Sequence, residues 1–289
     1  RINKRRLDAI MSDSIHPDDI TIIRPPSKWP SLKFGELYDY RELLYFLTWR
    51  DINVRYKQTL LGIAWALIQP FFMMVIFTIF FGKMAKVPSE GIPYPIFSYS
   101  GVLLWTYFSH AVTMSSNSVV SQSNLITKIY FPRLLMPVAA ATAGLIDYFI
   151  ALSILCLMMI WYGVTPNPAI LFLPFSVLFS YMAAIGVGMW LSALNVKYRD
   201  IRYVVPFLIQ LWLFATPVIY PNTLVPEKYR WLISLNPMSG VIDAHRACIL
   251  GHKSIDWYSL GISLATTIVL LITGIFYFRR MEEDFADII

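Results

Sequence analysis

The feature that most restricts this chain is a series of apolar runs, each about long enough to cross a bilayer. The first, Leu60–Phe81, has 22 residues with Gln69 and Thr78 as its clear polar members. As a helix at 1.5 Å per residue it reaches about 33 Å, against a hydrocarbon core of about 30 Å. Further runs lie at 96–120, 134–162, 170–194, 204–220 and 258–278, the fifth being the shortest. The chain is 57% hydrophobic and only 15% charged, whereas a soluble domain carries roughly 25% charged residues. These observations predict an all-α polytopic membrane protein, one domain in lipid with six transmembrane helices. The net charge of +6 therefore speaks for topology and anionic lipid, not for nucleic acid.

The polar segments complete the layout. Residues 1–35 hold Pro17, Pro25, Pro26 and Pro30 but no apolar core of a cleaved signal, and read as a cytoplasmic arm. In 36–59, Leu37, Tyr40, Leu43, Leu44 and Leu47 recur at helical spacing among mixed charges. That pattern suits an amphipathic helix in the headgroup plane or one packed on a soluble partner. Residues 60–280 form the membrane domain and 281–289 a cytoplasmic tail. With both ends inside, eleven Lys and Arg between Arg41 and Arg280 flank the inner face. Six face out: Lys83, Lys86, Lys228, Arg230, Arg246 and Lys253. That bias orients the chain. Within 221–257, Tyr229–Leu235 and Met238–Leu250 are each too short to span and are broken at Asn236-Pro237. They read as a re-entrant helical hairpin on the outer side or as an external cap.

Between the second and third runs lies a basic interruption, SQSNLITKIYFPRLLMP. Ser123 or Asn124 can cap a short helix that Pro132 stops. Ile129, Tyr130 and Phe131 then form an apolar knob beside Lys128 and Arg133. Such a knob either docks into a partner or lies in the membrane interface.

Chemistry inside the runs is sparse. Asp147 is the only acid there and His110 the histidine, a poor relay for ion coupling. Each reads as a packing residue. No G-x-x-x-x-G-K-[ST] loop or acid cluster is present, so catalytic and metal-ligating residues are absent from the reading. Asp200 between Arg199 and Arg202 suggests a salt-bridged loop. Cys156 lies in an apolar run, and a disulfide to Cys248 is not expected. Ala184, Gly188 and Ser192, and Ala140 with Gly144, form small-residue rows suited to close helix contact. The aromatic content, 16%, fits interface belts but also a passage for sugars, whose C–H faces pack on rings. Trp65, Phe72, Tyr107, Trp212 and Phe214 are the candidates.

Four stretches carry a family resemblance: WRDINVRYKQTLLGIAWALIQP (49–70), NLITKIYFPRLLMP (124–137), LNVKYRDIRYVVPFLIQLWLFATPVIYP (194–221) and LNPMSGVIDAHRACILG (235–251). With the six-run layout, the chain resembles the membrane subunit of an ABC-type polysaccharide exporter from the bacterial inner membrane. The resemblance implies a homodimer with two copies of a separate ATPase that binds ATP and Mg²⁺, this chain holding no cofactor. It implies a polymer on undecaprenyl diphosphate as substrate, O-antigen before capsule or teichoic acid. A membrane enzyme acting on lipid-linked sugars is the alternative from another class. By the same resemblance Asn124, Lys128, Tyr130, Phe131 and Arg133 belong to the coupling helix. Arg50, Arg55 and Lys57 become first contacts for the lipid diphosphate, or plain headgroup contacts.

Overall fold

A computed structural model describes residues 38–57, 62–126, 128, 131–165, 168–251, 253–282 and 285. The arm 1–35 falls outside them. Ten α-helices and no strands occur among the described residues. They are α1 (Arg41–Lys57), α2 (Ala64–Phe77, prolonged by a π-helical turn Thr78–Met84), α3 (Tyr94–Ser121), α4 (Ser123–Ile126), α5 (Leu135–Tyr162), α6 (Leu173–Lys197), α7 (Ile201–Ala215), α8 (Glu227–Ser234), α9 (Ser239–Leu250) and α10 (Trp257–Glu282).

Four of them are long and apolar enough to cross a membrane: α2 with its π turn, α5, α6 with the 3₁₀ turn before it, and α10. Helix α3 has the length, 28 residues, but is rich in serine. It nevertheless forms the centre of the bundle, packed against α2, α5, α6, α7 and α9. Its hydroxyls are quenched locally: Ser98, Ser100, Ser109, Thr113, Ser116 and Ser118 each donate to a carbonyl three or four residues back. Ser115 donates across to Pro137 O at 2.9 Å, and Asn195 of α6 reaches Ser116 O at 2.9 Å. In lipid, helix association is driven by close packing and such hydrogen bonds, not by burial from water. The most polar long helix therefore belongs inside and the most apolar ones outside.

Helix ends follow the local sequence. Gly163 (φ +66°) closes α5, with its N–H on Ile160 O and the Val164 N–H on Met159 O, a termination that needs the left-handed region. Asp256 Oδ1 accepts from the Tyr258 and Ser259 N–H groups and starts α10. The fifth run is shorter than the expected 204–220. Pro217 pushes Thr216 into an extended conformation (φ −106°, ψ +139°) and ends α7 at Ala215.

Small residues set the closest approaches. A Cβ on Gly188 would lie 2.5 Å from Ser115 Cβ, as the row Ala184, Gly188, Ser192 predicts. A second crossing went unread: Gly186 faces the Leu271 backbone and Gly274 the Gly186 carbonyl, joining α6 to α10. The two short helices α8 and α9 flank the expected Asn236-Pro237 break. Ser263 of α10 pins them, accepting from Gly240 N and bonding Ser234 O or Asn236 O. Cys156 and Cys248 are both free thiols. The loop before α7 differs from expectation: among the described residues Asp200 has no ion pair, and Arg202 instead donates to Tyr203 Oη at 2.8 Å and lies over its ring.

Candidate functional site

Three features could act on a ligand or partner. The first is the basic interruption. Its helix α4 is one turn long, with Asn124 and Lys128 exposed. Ile129 and Tyr130 lie outside the described residues. Phe131 is not the exposed anchor expected; it is buried (5%) in the hydrophobic core along with Ile126 and Leu134. Arg133 is also engaged within the chain. Its backbone N–H donates to Glu282 Oε1 at 2.8 Å, its guanidinium to Glu282 O, and it lies over the Phe285 ring. The interruption is thus braced from within by the end of α10, which nothing in its own sequence announced.

The second feature is a cavity of about 250 Å³ between the end of α1 and helices α2, α3 and α5. Asp147 of α5 accepts from Arg55 Nη1 and from Tyr56 Oη, both of α1. From the sequence, Asp147 reads as a lone packing residue and Arg55 as a first contact for the lipid diphosphate or a headgroup; the structure pairs the two, because α1 packs along α5. Burial first, then the Asp147 carboxylate, raises the Tyr56 phenol pKa and keeps it a donor. Trp65, half-exposed at 56%, Gln69, Thr106, Tyr107 and His110 also line the space. Thr106 Oγ1 and His110 Nδ1 are buried there without a hydrogen-bond partner, a deficit that costs about 1–3 kcal/mol each when nothing fills it. Gly144 keeps the wall open: a Cβ would meet Tyr107 only at 3.5 Å and His110 Nδ1 at 3.9 Å. Tyr148 ties the wall to α9 through His245 Nε2 at 2.8 Å. Among the described residues, one cation and one anion make the lining neutral, and no activated nucleophile is present. The space is suited to binding.

The other expected residues scatter. Arg50 pairs with its neighbour Asp51 at 2.8 Å, and Lys57 is exposed. Of the aromatics, Trp65 and buried Tyr107 (3%) share the cavity. Phe72 and Phe214 lie exposed on α2 and α7, and Trp212 packs edge-on against Trp105 and Phe108 of α3.

The third feature is on the expected outer side. Arg246, counted from sequence as a loop cation, is buried (3%) on α9. It stacks on Phe97 at 3.9 Å and donates to Val218 O and Pro217 O just past the end of α7. Burial lowers its pKa to about 10. Asp243, Lys253 and Glu90 form ion pairs beside it, Lys253 to each acid at 3.7 Å.

A helical bundle with four helices long and apolar enough to cross a bilayer defines a class: a multi-pass membrane protein. The chain belongs to the ABC-2 type transporter family, whose pattern matches residues 42–250. It is similar to the "O-antigen export system permease protein RfbA" of Myxococcus xanthus, 31% identical over 87% of this chain and 97% of that one. It is also similar to a protein of the same name from Klebsiella pneumoniae, at 27% over 88% and 96%. The "Polysialic acid transport protein KpsM" of Escherichia coli is 23% identical over 81% and 91%. The chain is accordingly a transport subunit and not an enzyme, and ATP hydrolysis belongs to a separate chain.

Proposed function

We propose that this chain is the transmembrane subunit of an ATP-driven exporter moving a lipid-linked polysaccharide, an O-antigen, across the bacterial inner membrane. The carrying observation is its likeness, over nearly the full length of both chains, to a permease named for O-antigen export. Two copies of the chain pair with two copies of an ABC ATPase, which holds ATP and Mg²⁺. Helices α2, α3, α5, α6, α7 and α10 are the six spans, with both termini cytoplasmic. Helix α1 lies at the inner interface, and α8 with α9 dips in from the outer side.

In this reading the exposed Asn124 and Lys128 seat on the ATPase, with Tyr130 as a further contact. Phe131 and Arg133 carry its displacement into the bundle and into α10. The exposed faces of α2 (Trp65, Phe72) and α7 (Phe207, Phe214) face one another across the seam between copies, and their separation admits the polymer. Carrier undecaprenyl diphosphate meets Lys57 and Arg50 at the inner face, while Arg55 is held by Asp147. The likeness to KpsM favours a capsule polymer as the second reading.

Deleting the chain and analysing the polymer distribution tests the proposal. Lipid-linked polysaccharide accumulates inside and disappears from the surface, and affinity purification of the chain brings a P-loop ATPase with it. Unchanged surface polysaccharide in the deletion strain refutes the export reading.

A further inference from the structure

We propose that the cavity between α1, α2, α3 and α5 is a binding site for one neutral sugar ring, a subsite that holds a single residue of the polymer. The proposal rests on the export reading and names the part of the substrate that one site takes.

Four observations select this ligand class. The first is charge. The Arg55 guanidinium and the Asp147 carboxylate face each other in the lining, so the field of one cancels that of the other. A diphosphate, with at least two negative charges, gains little there and meets the carboxylate as well. A polyhydroxylated neutral ring can donate to Asp147 and accept from Arg55 without separating them. The second is hydrogen-bond demand. Thr106 Oγ1 and His110 Nδ1 are buried without partners, and both residues line the same space. Buried polar atoms of this kind call for a polar occupant, whereas an acyl chain would leave them unsatisfied. The third is shape. Trp65, 56% exposed, offers an aromatic face for the C–H side of a pyranose, beside the amide of Gln69. The fourth is size. About 250 Å³ is below the roughly 300–1,000 Å³ of sites for drug-sized molecules. It suits a single ring and excludes several at once.

Gly144 supplies a means of testing the site by bulk, its Cβ position lying 3.9 Å from His110 Nδ1. Its Cβ position has only ordinary contacts, so Gly144→Ala fits, while Gly144→Leu extends into the open volume. Thr106→Val removes one hydroxyl at nearly constant size. The experiment uses the complete transporter, both subunits, in nanodiscs. Saturation-transfer NMR is recorded with methyl glycosides of glucose, galactose, mannose and rhamnose as probes, and inorganic diphosphate as competitor.

Ring-proton transfer is expected for at least one glycoside in the wild-type protein. It should weaken roughly five-fold in Thr106→Val, the worth of one hydrogen bond, and vanish in Gly144→Leu. Diphosphate at equal concentration should leave it unchanged. The assignment is overturned by any of three results: no transfer from any glycoside in the wild type, equal transfer in wild type and Thr106→Val, or displacement by diphosphate. If Gly144→Leu does not assemble, Thr106→Val decides. Absence of glycoside binding in a transporter that still exports polysaccharide sinks the subsite alone. Unchanged surface polysaccharide in the deletion strain sinks the export reading instead.

Discussion

Asp147→Ala should release α1 from the bundle. Both carboxylate oxygens are used, Oδ2 by Arg55 and Oδ1 by Tyr56. A hydrogen bond to a charged group contributes about 1.5–3 kcal/mol. Arg55 and Asp147 are 21% and 24% exposed, so solvent screening favours the lower end, about 3 kcal/mol for the two bonds. Apolar contacts anchor α1 as well: Leu47 is fully buried, and Leu43 and Leu44 are partly so. Local opening of α1 should therefore become easier by about 3 kcal/mol, which is roughly a 100-fold rise in exchange at about 1.4 kcal/mol per decade. Hydrogen exchange with mass spectrometry over peptides 41–57 reads this directly. Asp147→Asn keeps an acceptor and loses the charge, and should give roughly a ten-fold rise. In a double-mutant cycle, Arg55→Gln and Asp147→Asn should couple by about 1 kcal/mol or more. Additivity within about 0.5 kcal/mol, or unchanged exchange over 41–57, would show that the pair does not hold α1 and refute the reasoning.

Further outcomes are expected. Gly186→Ala places a Cβ 2.8 Å from Leu271 N and 2.9 Å from Leu271 Cα. Backbone cannot step aside, so α6 and α10 separate at a cost of about 1–3 kcal/mol, read as a lower Tm. Gly261→Ala, with nothing within 4 Å, should be silent. His245 is held neutral, its pKa lowered to about 3 by burial first and Arg246 second. A lowered folded-state pKa means stability is fully present above pH 6.5 and is lost as pH falls toward 3, at about 1.4 kcal/mol per unit. A pH series of thermal unfolding should slope down below 6.5, and His245→Gln should flatten that part. Phe131→Ala should cost about 3–5 kcal/mol because the ring is buried. Lys128→Glu, on an exposed residue, should leave the Tm alone and reduce polymer export per ATP hydrolysed.

How much of this was legible beforehand depends on the range of the interaction. The helices were, because each apolar run is a local pattern, and so was the break at Asn236-Pro237. The row through Gly188 was readable since four-residue spacing fixes a helix face. The Gly186–Gly274 crossing was not, because its two members lie far apart in sequence and only the packing of α6 on α10 brings them together. The same holds for the site. Trp65 and Tyr107 could be named, but not that they share a cavity. Asp147 looked isolated because its partners, Arg55 and Tyr56, are about ninety positions earlier, in a segment whose composition pointed to headgroups. Phe131 looked exposed because loops between spans usually are. That the end of α10 folds against this one is a tertiary fact.

The polar content of α3 explains why the cavity stands out. Nearly every serine on that helix spends its hydroxyl on its own helix or on a neighbour, as Ser115 does on Pro137 O. A serine so bonded needs no ligand and places little demand on its surroundings. Threonine and histidine are different here. Thr106 and His110 sit four residues apart, one above the other on a single face, and theirs are the buried side-chain atoms on α3 left without partners. Both residues line the cavity where Arg55 and Asp147 meet and where Gly144 leaves room. A helix that satisfies its polar groups everywhere else and leaves two unsatisfied at one shared opening has a surface complementary to something polar. In the subsite proposed above, that something is one sugar ring of the cargo.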